Sequence, residues 1–180
     1  LIDHQMNLKV SHEFGQYFVR LPLTKAATIV HGNALQLDWE SLVPKTQLHY
    51  ILGNPPFVGK QLQNAAQKAD MELVVTGVPG AGVLDYVTAW YLTAAKYIQD
   101  TTIRCAFVST NSIVQGEQVG VLWNELYHRY HLKIQFAHRT FAWKNEAKGN
   151  AAVHCVIIGF GARDGDDKRL FDYENIKGEL

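Results

Sequence analysis

The sequence contains little cysteine, little proline and no excess of either charge. Two cysteines in 180 residues are too few for a disulfide framework, and Cys105 and Cys155 each lie in an apolar, strand-like run. We therefore expect two buried, reduced thiols and a cytoplasmic origin. The 17 basic side chains balance 17 acidic ones, so no global basic field indicates nucleic-acid binding, which counts against a complete DNA-binding protein.

Targeting and metal-binding patterns are also missing from the sequence. No stretch is typical of a signal peptide or a membrane span, and the chain opens at Leu1, so we expect an excised soluble piece with no membrane partner. The eight histidines include no His-x-x-x-His pair and no Cys/His cluster, so no metal site is predicted.

Two of the five prolines are adjacent, in the stretch His49–Gly59. An apolar run of strand length ends there in Gly53, Asn54, Pro55 and Pro56, which can continue neither a helix nor a strand ladder. In open α/β sheets the ligand crevice lies off the carboxyl ends of the strands. The stretch therefore predicts a site at a strand end, with a simple proline-rich turn as the alternative.

The residues of this stretch suit transfer of a group to a weakly nucleophilic amino nitrogen. Such a nitrogen has a delocalised lone pair, and acceptors that hold its two hydrogens localise that pair. Asn54 offers a side-chain carbonyl, and Pro55 offers a main-chain carbonyl beside a proline that has no N–H. Phe57 offers a flat face to a planar substrate.

The hydrophobic pattern predicts an α/β fold in which parallel βα units are closed by a C-terminal antiparallel hairpin. A glycine-rich, mobile segment is expected at 76–82. The predicted helices are 2–18, 61–70 (or an ordered loop), 84–98 and 117–130, with Asp85 in a first turn, and the predicted strands are 27–31, 49–52, 103–108, 133–139 and 152–160.

Asn54-Pro55-Pro56-Phe57 resembles the Asn-Pro-Pro-Phe/Tyr motif of amino-group methyltransferases that use S-adenosylmethionine, especially the DNA adenine-N6 enzymes. Residues 1–162 are similar to the C-terminal two-thirds of the methyltransferase domain in large fused restriction–modification proteins. The resemblance implies a partial Rossmann-like class I sheet, S-adenosylmethionine as cofactor, and DNA as partner of the intact protein. Residues 163–180 are expected to be a solvated linker toward a further domain.

The same resemblance assigns roles to individual residues. Asn54, Pro55, Pro56 and Phe57 are then catalytic, and Asn54 also contacts the cofactor. Phe57 is then expected to stack on one face of a flipped-out base, and Phe141 or Trp143 on the other face of the base. The alternative for Phe141 and Trp143 is that they are hydrophobic residues that fill the interior of a loop. The further cofactor contacts are Asn33, which an ordinary Asx turn also explains, Ala34, Leu35, Leu84 and Asp85.

Two elements of the family are missing, and these are the glycine-rich cofactor loop and the acidic residue that follows it. Both are expected upstream of Leu1, so the chain alone is expected to be inactive and its exposed sheet edge to allow self-association. The alternatives are a protein glutamine methyltransferase, which uses the same tetrapeptide, and a non-catalytic recognition or assembly module. Glu146-Ala147-Lys148 matches only half of a nuclease Glu-x-Lys site. Methylation at a cytosine ring carbon is not predicted, because neither cysteine follows a proline in the catalytic stretch.

Overall fold

The structure is a computed structural model that describes residues 12–13, 27–143 and 153–173. The chain divides into two compact units, Leu1–His31 and Gly32–Leu180. The predicted helix over 2–18 lies outside the described residues except for His12 and Glu13, which are helical. The predicted strand over 27–31 is wrong. The backbone there forms no strand and the Ile29 side chain is 89% exposed, because none of the strands in the described ranges pairs with it.

In the second unit the predicted helices and strands occur in the predicted order, together with a short helix and a fifth strand that were not predicted. The bounds of its helices are α1 Trp39–Leu42, α2 Ala65–Val74, α3 Thr88–Tyr97 and α4 Gln118–Asn124, which continues as a π-helix over Glu125–Arg129. The strands are β1 Tyr50–Gly53, β2 Arg104–Thr110, β3 Lys133–Trp143, β4 Val153–Gly161 and β5 Arg169–Phe171. Short 3-10 turns lie at Lys45–Gln47, Lys60–Leu62, Ala81–Val83 and Asn111–Val114.

The five strands form one sheet in the order β1-β2-β4-β3-β5. β1 pairs parallel with β2, and β3 pairs parallel with β5. β4 pairs antiparallel with both β2 and β3, so it alone runs opposite to the other strands. The mostly parallel sheet and its C-terminal antiparallel hairpin confirm the predicted fold class.

The core lies between one face of this sheet and helix α3. Tyr91 is fully buried between the rings of Phe107 and Phe160, with ring centroids 5.2 and 5.4 Å away. Burying such rings stabilises the fold by roughly 1.5–3 kcal/mol each. Helix α2 begins with a capping box in which Asn64 and Gln67 bond to each other's backbone N–H.

Two predicted boundaries differ from those of the structure. Helix α3 begins at Thr88, so Asp85 is not in its first turn but in the turn before it. Residues 169–173, expected to be part of a solvated linker, are held on β3 by strand pairing and by a stack of Phe171 on His138 at 4.4 Å. This arises because β3 would otherwise leave an unpaired edge. The domain boundary at residue 162 stays a prediction. No helix of the described part combines the length and apolarity needed to cross a membrane.

Candidate active site

The Asn54–Phe57 segment leaves the sheet at the carboxyl end of β1, as predicted. Pro55 is buried, Phe57 is half-buried against the core, and Asn54 and Pro56 are exposed. Among the described residues, no hydrogen bond reaches the Asn54 side-chain amide or the Pro55 carbonyl oxygen. Among the described residues, these two acceptors therefore have no hydrogen-bond partner, on a segment whose neighbouring residues are packed.

A groove of about 490 Å³ runs along β1 beside this segment. Asn54, Pro55 and Pro56 line one end of it, and its walls include Trp39 and Trp90. Most of the remaining lining is apolar, so the groove suits a flat, weakly polar group. The two tryptophans were not singled out by the sequence, where they are indistinguishable from core aromatics.

Two hydrogen bonds fix the chain just after this segment, at Val58 and Lys60. The Tyr86 N–H donates to the Val58 carbonyl at 2.9 Å. The Lys60 N–H donates to Asp85 Oδ1 at 2.8 Å. Because β1 holds the near end, residues 54–59 are anchored on both sides.

Asp85 is at the centre of a polar cluster. Its Oδ2 accepts hydrogen bonds from Ser112 Oγ and Gln118 Nε2, each at 2.7 Å. Its own N–H donates to Gln118 Oε1 at 3.0 Å. Ser112 lies in the polar stretch that follows the predicted strand 103–108, so its general position was foreseeable, whereas Gln118 resembled an ordinary helix residue. The predicted cofactor contact of Asp85 stays a prediction.

Asn33 forms the Asx turn that the sequence allowed, because its Oδ1 accepts from the Leu35 N–H at 3.0 Å. Its Nδ2 donates to Asp70 Oδ2 at 2.9 Å. Gln36 Nε2 and Tyr86 Oη also donate to the Asp70 carboxylate, each at 2.7 Å. Asp70 therefore joins the Asn33 turn to Tyr86, whose N–H holds the active-site loop, residues 54–60, at Val58. Sequence analysis missed Asp70 because it resembles any polar helix residue.

The ionisation of this network follows from its contacts. Burial raises the pKa of Asp70, but the hydrogen bonds from Tyr86, Gln36 and Asn33 outweigh burial and leave that pKa below its ordinary value. Burial and the Asp70 carboxylate together raise the pKa of Tyr86, so its hydroxyl remains a donor at neutral pH.

The other predicted cofactor residues lie around the same region. The Ala34 carbonyl accepts from Trp39 Nε1 at 2.7 Å, which connects the Asn33 turn to the groove wall. Leu35 and Leu84 are only 6% and 2% exposed. Their side chains support the site from the core, and direct contact of any of these residues with a cofactor stays a prediction.

Phe141 and Trp143 lie at the same edge of the sheet as Asn54, near the carboxyl end of β3. Their ring centroids are 6.1 Å apart. Three inter-strand spacings separate β3 from β1, which is about 14 Å. The structure thus brings these two rings together but not onto Phe57, and their stacking role stays a prediction.

The two cysteines are buried free thiols, as predicted. Burial raises the pKa of Cys105 to about 12 and also raises the pKa of Cys155. Both thiols therefore stay protonated at neutral pH and neither is an activated nucleophile.

The mostly parallel sheet with its antiparallel hairpin, and the Asn-Pro-Pro-Phe segment at its carboxyl edge, define a Rossmann-like methyltransferase sheet. A family model described as MmeI, DNA-methyltransferase domain, matches residues 1–172. The chain belongs to this family.

Two comparisons give the relationship in more detail. The chain is 43% identical over 168 residues to DNA methyltransferase A of Bacillus subtilis (strain 168), covering 91% of the chain and 19% of that protein. It is similar to the structure of the Type IIL restriction-modification enzyme MmeI in complex with DNA, with 57% identity and a TM-score of 0.84 over 98% of the chain and 24% of that protein. The chain thus spans about a fifth to a quarter of the length of these relatives.

Proposed function

We propose that this chain forms the part of a DNA methyltransferase that receives the target base, and that the intact protein transfers a methyl group from S-adenosylmethionine to the N6 amino group of adenine. The observation that carries the proposal is a pair of acceptors at the carboxyl end of β1, Asn54 Oδ1 and the Pro55 carbonyl, which have no hydrogen-bond partner among the described residues. Membership of a DNA-methyltransferase domain family supports the same reaction class.

The two acceptors explain how an aromatic amino group becomes nucleophilic. An N6 amino group has two hydrogens, and Asn54 Oδ1 and the Pro55 carbonyl would accept one each. The nitrogen then loses conjugation with the ring, and its lone pair is localised on the nitrogen and directed toward the methyl donor. S-adenosylmethionine would supply a methyl group from its sulfonium centre: the N–CH3 bond would form as the S–CH3 bond breaks, S-adenosylhomocysteine would leave as a neutral thioether, and one amino proton would pass to water. Polar contacts preorganised in this way typically lower a barrier by about 2.7–4 kcal/mol.

The groove beside Asn54 fits the flat part of the cofactor. Trp39 and Trp90 give it aromatic walls, and its remaining lining is mostly apolar. The Asn33 turn connects to this groove through the bond from Trp39 to the Ala34 carbonyl. We assign the adenine ring of S-adenosylmethionine to these walls, with Asn54 at the end where the methyl group would lie.

A base inside a duplex is out of reach of this site, so the target must be flipped out at a cost of a few kcal/mol. Stacking on one aromatic ring returns about 1–3 kcal/mol. Phe57 is the half-buried ring next to the acceptors and is assigned that role. A second stacking face at Phe141 or Trp143 requires the hairpin end of β3 to approach the base, because β3 lies three strand spacings, about 14 Å, from β1.

Product analysis tests the reaction class. The intact protein is incubated with DNA and S-adenosylmethionine labelled in its methyl group, and the DNA is digested to nucleosides. The proposal predicts label in N6-methyldeoxyadenosine and none in 5-methyldeoxycytidine. Label in a glutamine side chain of an added protein substrate, or no transfer by a protein that still binds DNA, would contradict it in favour of the protein methyltransferase or the recognition module.

Self-association of the isolated chain is proposed through the outer edge of β1. No strand pairs with that edge among the described residues, and Leu52 and Tyr50 on β1 are 77% and 64% exposed. Unpaired apolar edges are templates for pairing with another chain. Sedimentation of the 180-residue chain should therefore show concentration-dependent dimers that Leu52→Lys weakens. A monomer at all concentrations would exclude this contact.

A further inference from the structure

We propose that Asp85 is a positioning residue, which holds residues 58–60 and thereby sets the place of Asn54 and Pro55 against the target amino group. The inference rests on the proposed function, and it gives Asp85 a role other than the cofactor contact implied by resemblance. The structure brings one half-buried carboxylate into contact with three separate segments.

The chemistry of the cluster requires a carboxylate. An ionised carboxylate is purely an acceptor, and Asp85 receives donors from the active-site loop, from Ser112 after β2 and from Gln118 in α4. Ser112 Oγ also lies 2.8 Å from Thr110 Oγ1, the last residue of β2. Hydrogen bonds to an ionised group are roughly twice as strong as those between neutral groups. Asp85 thus ties the loop to β2 and to α4 at once.

The loop is packed against the core at Phe57 and Val58, and its hydrogen bonds to the rest of the protein lie at its two ends. Its near end is set by the pairing of Gly53 with Phe107, where an added Cβ would lie 3.1 Å from the Phe107 ring. Its far end is held by Asp85 through Lys60 and by the Tyr86 N–H through Val58. Between these anchors, the Asn54 side chain has no hydrogen bond to a described residue. The position of the Asn54 amide therefore depends on how the two ends of the loop are held.

The Asp85–Gln118 pair allows a direct test, in which the carboxylate and the amide are exchanged between the two positions. In Asp85→Asn, Oδ1 can still accept from Lys60, but the new amide N–H group faces Gln118 Nε2, so two donors meet. Gln118 cannot simply flip its amide, because its Oε1 already accepts from the residue-85 N–H. Adding Gln118→Glu supplies a carboxylate that accepts from both the amide and the N–H, with the same net charge as wild type.

The experiment measures single-turnover methyl transfer at saturating DNA and cofactor, and the dissociation constant of S-adenosylmethionine, in the intact protein. Asp85→Asn should slow transfer about tenfold or more, as small misplacements of reacting groups do, while cofactor affinity stays within about twofold. The double variant Asp85→Asn/Gln118→Glu should recover most of the rate. Asp100→Asn, an exposed residue with φ of 62° that asparagine tolerates, is the matched charge control and should transfer at the wild-type rate.

A second variant isolates the bond to the loop. Lys60→Pro removes the N–H that donates to Asp85, together with the lysine side chain, and Gly59 has φ −61° and ψ 149°, which suits a residue before proline. Compared with Lys60→Ala, which loses the same side chain and keeps the N–H, Lys60→Pro should transfer more slowly at unchanged cofactor affinity. This comparison decides the question even if Asp85→Asn folds poorly.

Three results would overturn the inference. These are wild-type transfer in Asp85→Asn or Lys60→Pro, no recovery in the reversed pair, and a loss of cofactor affinity that alone accounts for the slower rate. The last result would restore the cofactor contact. Absence of methyl transfer by the wild-type protein would refute the proposed function instead, so the two failures are distinguishable.

Discussion

Tyr86 Oη donates a 2.7 Å hydrogen bond to Asp70 Oδ2, and both side chains are buried. The bond joins helix α2 to the segment whose main chain holds the active-site loop, because the Tyr86 N–H also donates to the Val58 carbonyl. Asp70 has no cationic partner among the described residues and is held by neutral donors alone. Tyr86 therefore couples the Asn33 turn to the Asn54–Phe57 segment.

Replacing Tyr86 with Phe should destabilise the fold, because it removes one of the three side-chain donors to a buried carboxylate. Hydrogen bonds to charged groups are worth about 1.5–3 kcal/mol, and we expect a loss of that size in the free energy of unfolding. Urea unfolding measures it. Tyr50→Phe is the control, since Tyr50 is 64% exposed on β1 and should change stability by less than about 0.5 kcal/mol. Equal effects of the two substitutions would contradict the account.

Acid should reduce the stability that the hydrogen bonds of Asp70 contribute to the fold. The pKa of Asp70 lies below its ordinary value of 3.8, because its three hydrogen bonds outweigh burial. A pKa that is lower in the folded than in the unfolded protein contributes stability above the unfolded value, and this is lost as pH falls through the folded pKa. The stability difference between wild type and Asp70→Asn should therefore shrink below about pH 4. A difference that is constant from pH 7 to about pH 2 would mean that Asp70 is not held this way.

Gly159 is required by the ring that covers it. It lies opposite Phe136 in the β3–β4 pair, and a Cβ at this position would overlap the Phe136 ring. Gly159→Ala should cost about 1–3 kcal/mol of unfolding free energy, as overpacking does. Adding Phe136→Leu should relieve part of that cost. Gly120→Ala, where no atom lies within 4 Å of the new Cβ, is the matched control and should be neutral or stabilising. A neutral Gly159→Ala would show that the ring is free to move.

The sequence was most informative where local pattern and tertiary structure agree. The strand ending at Gly53, the buried strands that carry Cys105 and Cys155, and the antiparallel hairpin all follow from apolar runs and their punctuation. The strand predicted at 27–31 failed because a strand requires a neighbour, which sequence pattern alone does not supply. β5 was missed for the converse reason, since its exposed residues acquire strand geometry only by pairing with β3.

The site was predictable only in part. Asn54 and its neighbours could be placed at a strand end, because prolines and glycine mark that end unambiguously. The Asp70 and Asp85 networks could not, since their side-chain bonds join residues 16 to 37 positions apart in sequence. The π-helix at Glu125–Arg129 was likewise unforeseen, because its one extra residue per turn leaves the helical pattern of the sequence almost unchanged.

S-adenosylmethionine binding should need more of the protein than these 180 residues. The groove along β1 offers aromatic walls, but the glycine-rich loop expected from the family resemblance is not among these residues. Calorimetry should therefore detect binding to the intact protein and much weaker binding, or none, to the 180-residue chain. Tight binding to the short chain would place the cofactor elsewhere than proposed.

The most direct measurement is single-turnover methyl transfer by Asn54→Ala in the intact protein, with cofactor affinity measured alongside. Loss of one preorganised polar contact should slow transfer about 10²–10³-fold, while the dissociation constant of S-adenosylmethionine changes little. Asn124→Ala, at an exposed position of α4, is the control and should behave as wild type. An Asn54→Ala protein that transfers methyl groups at the wild-type rate would contradict the assignment of Asn54 and Pro55 as the acceptors of the target amino group.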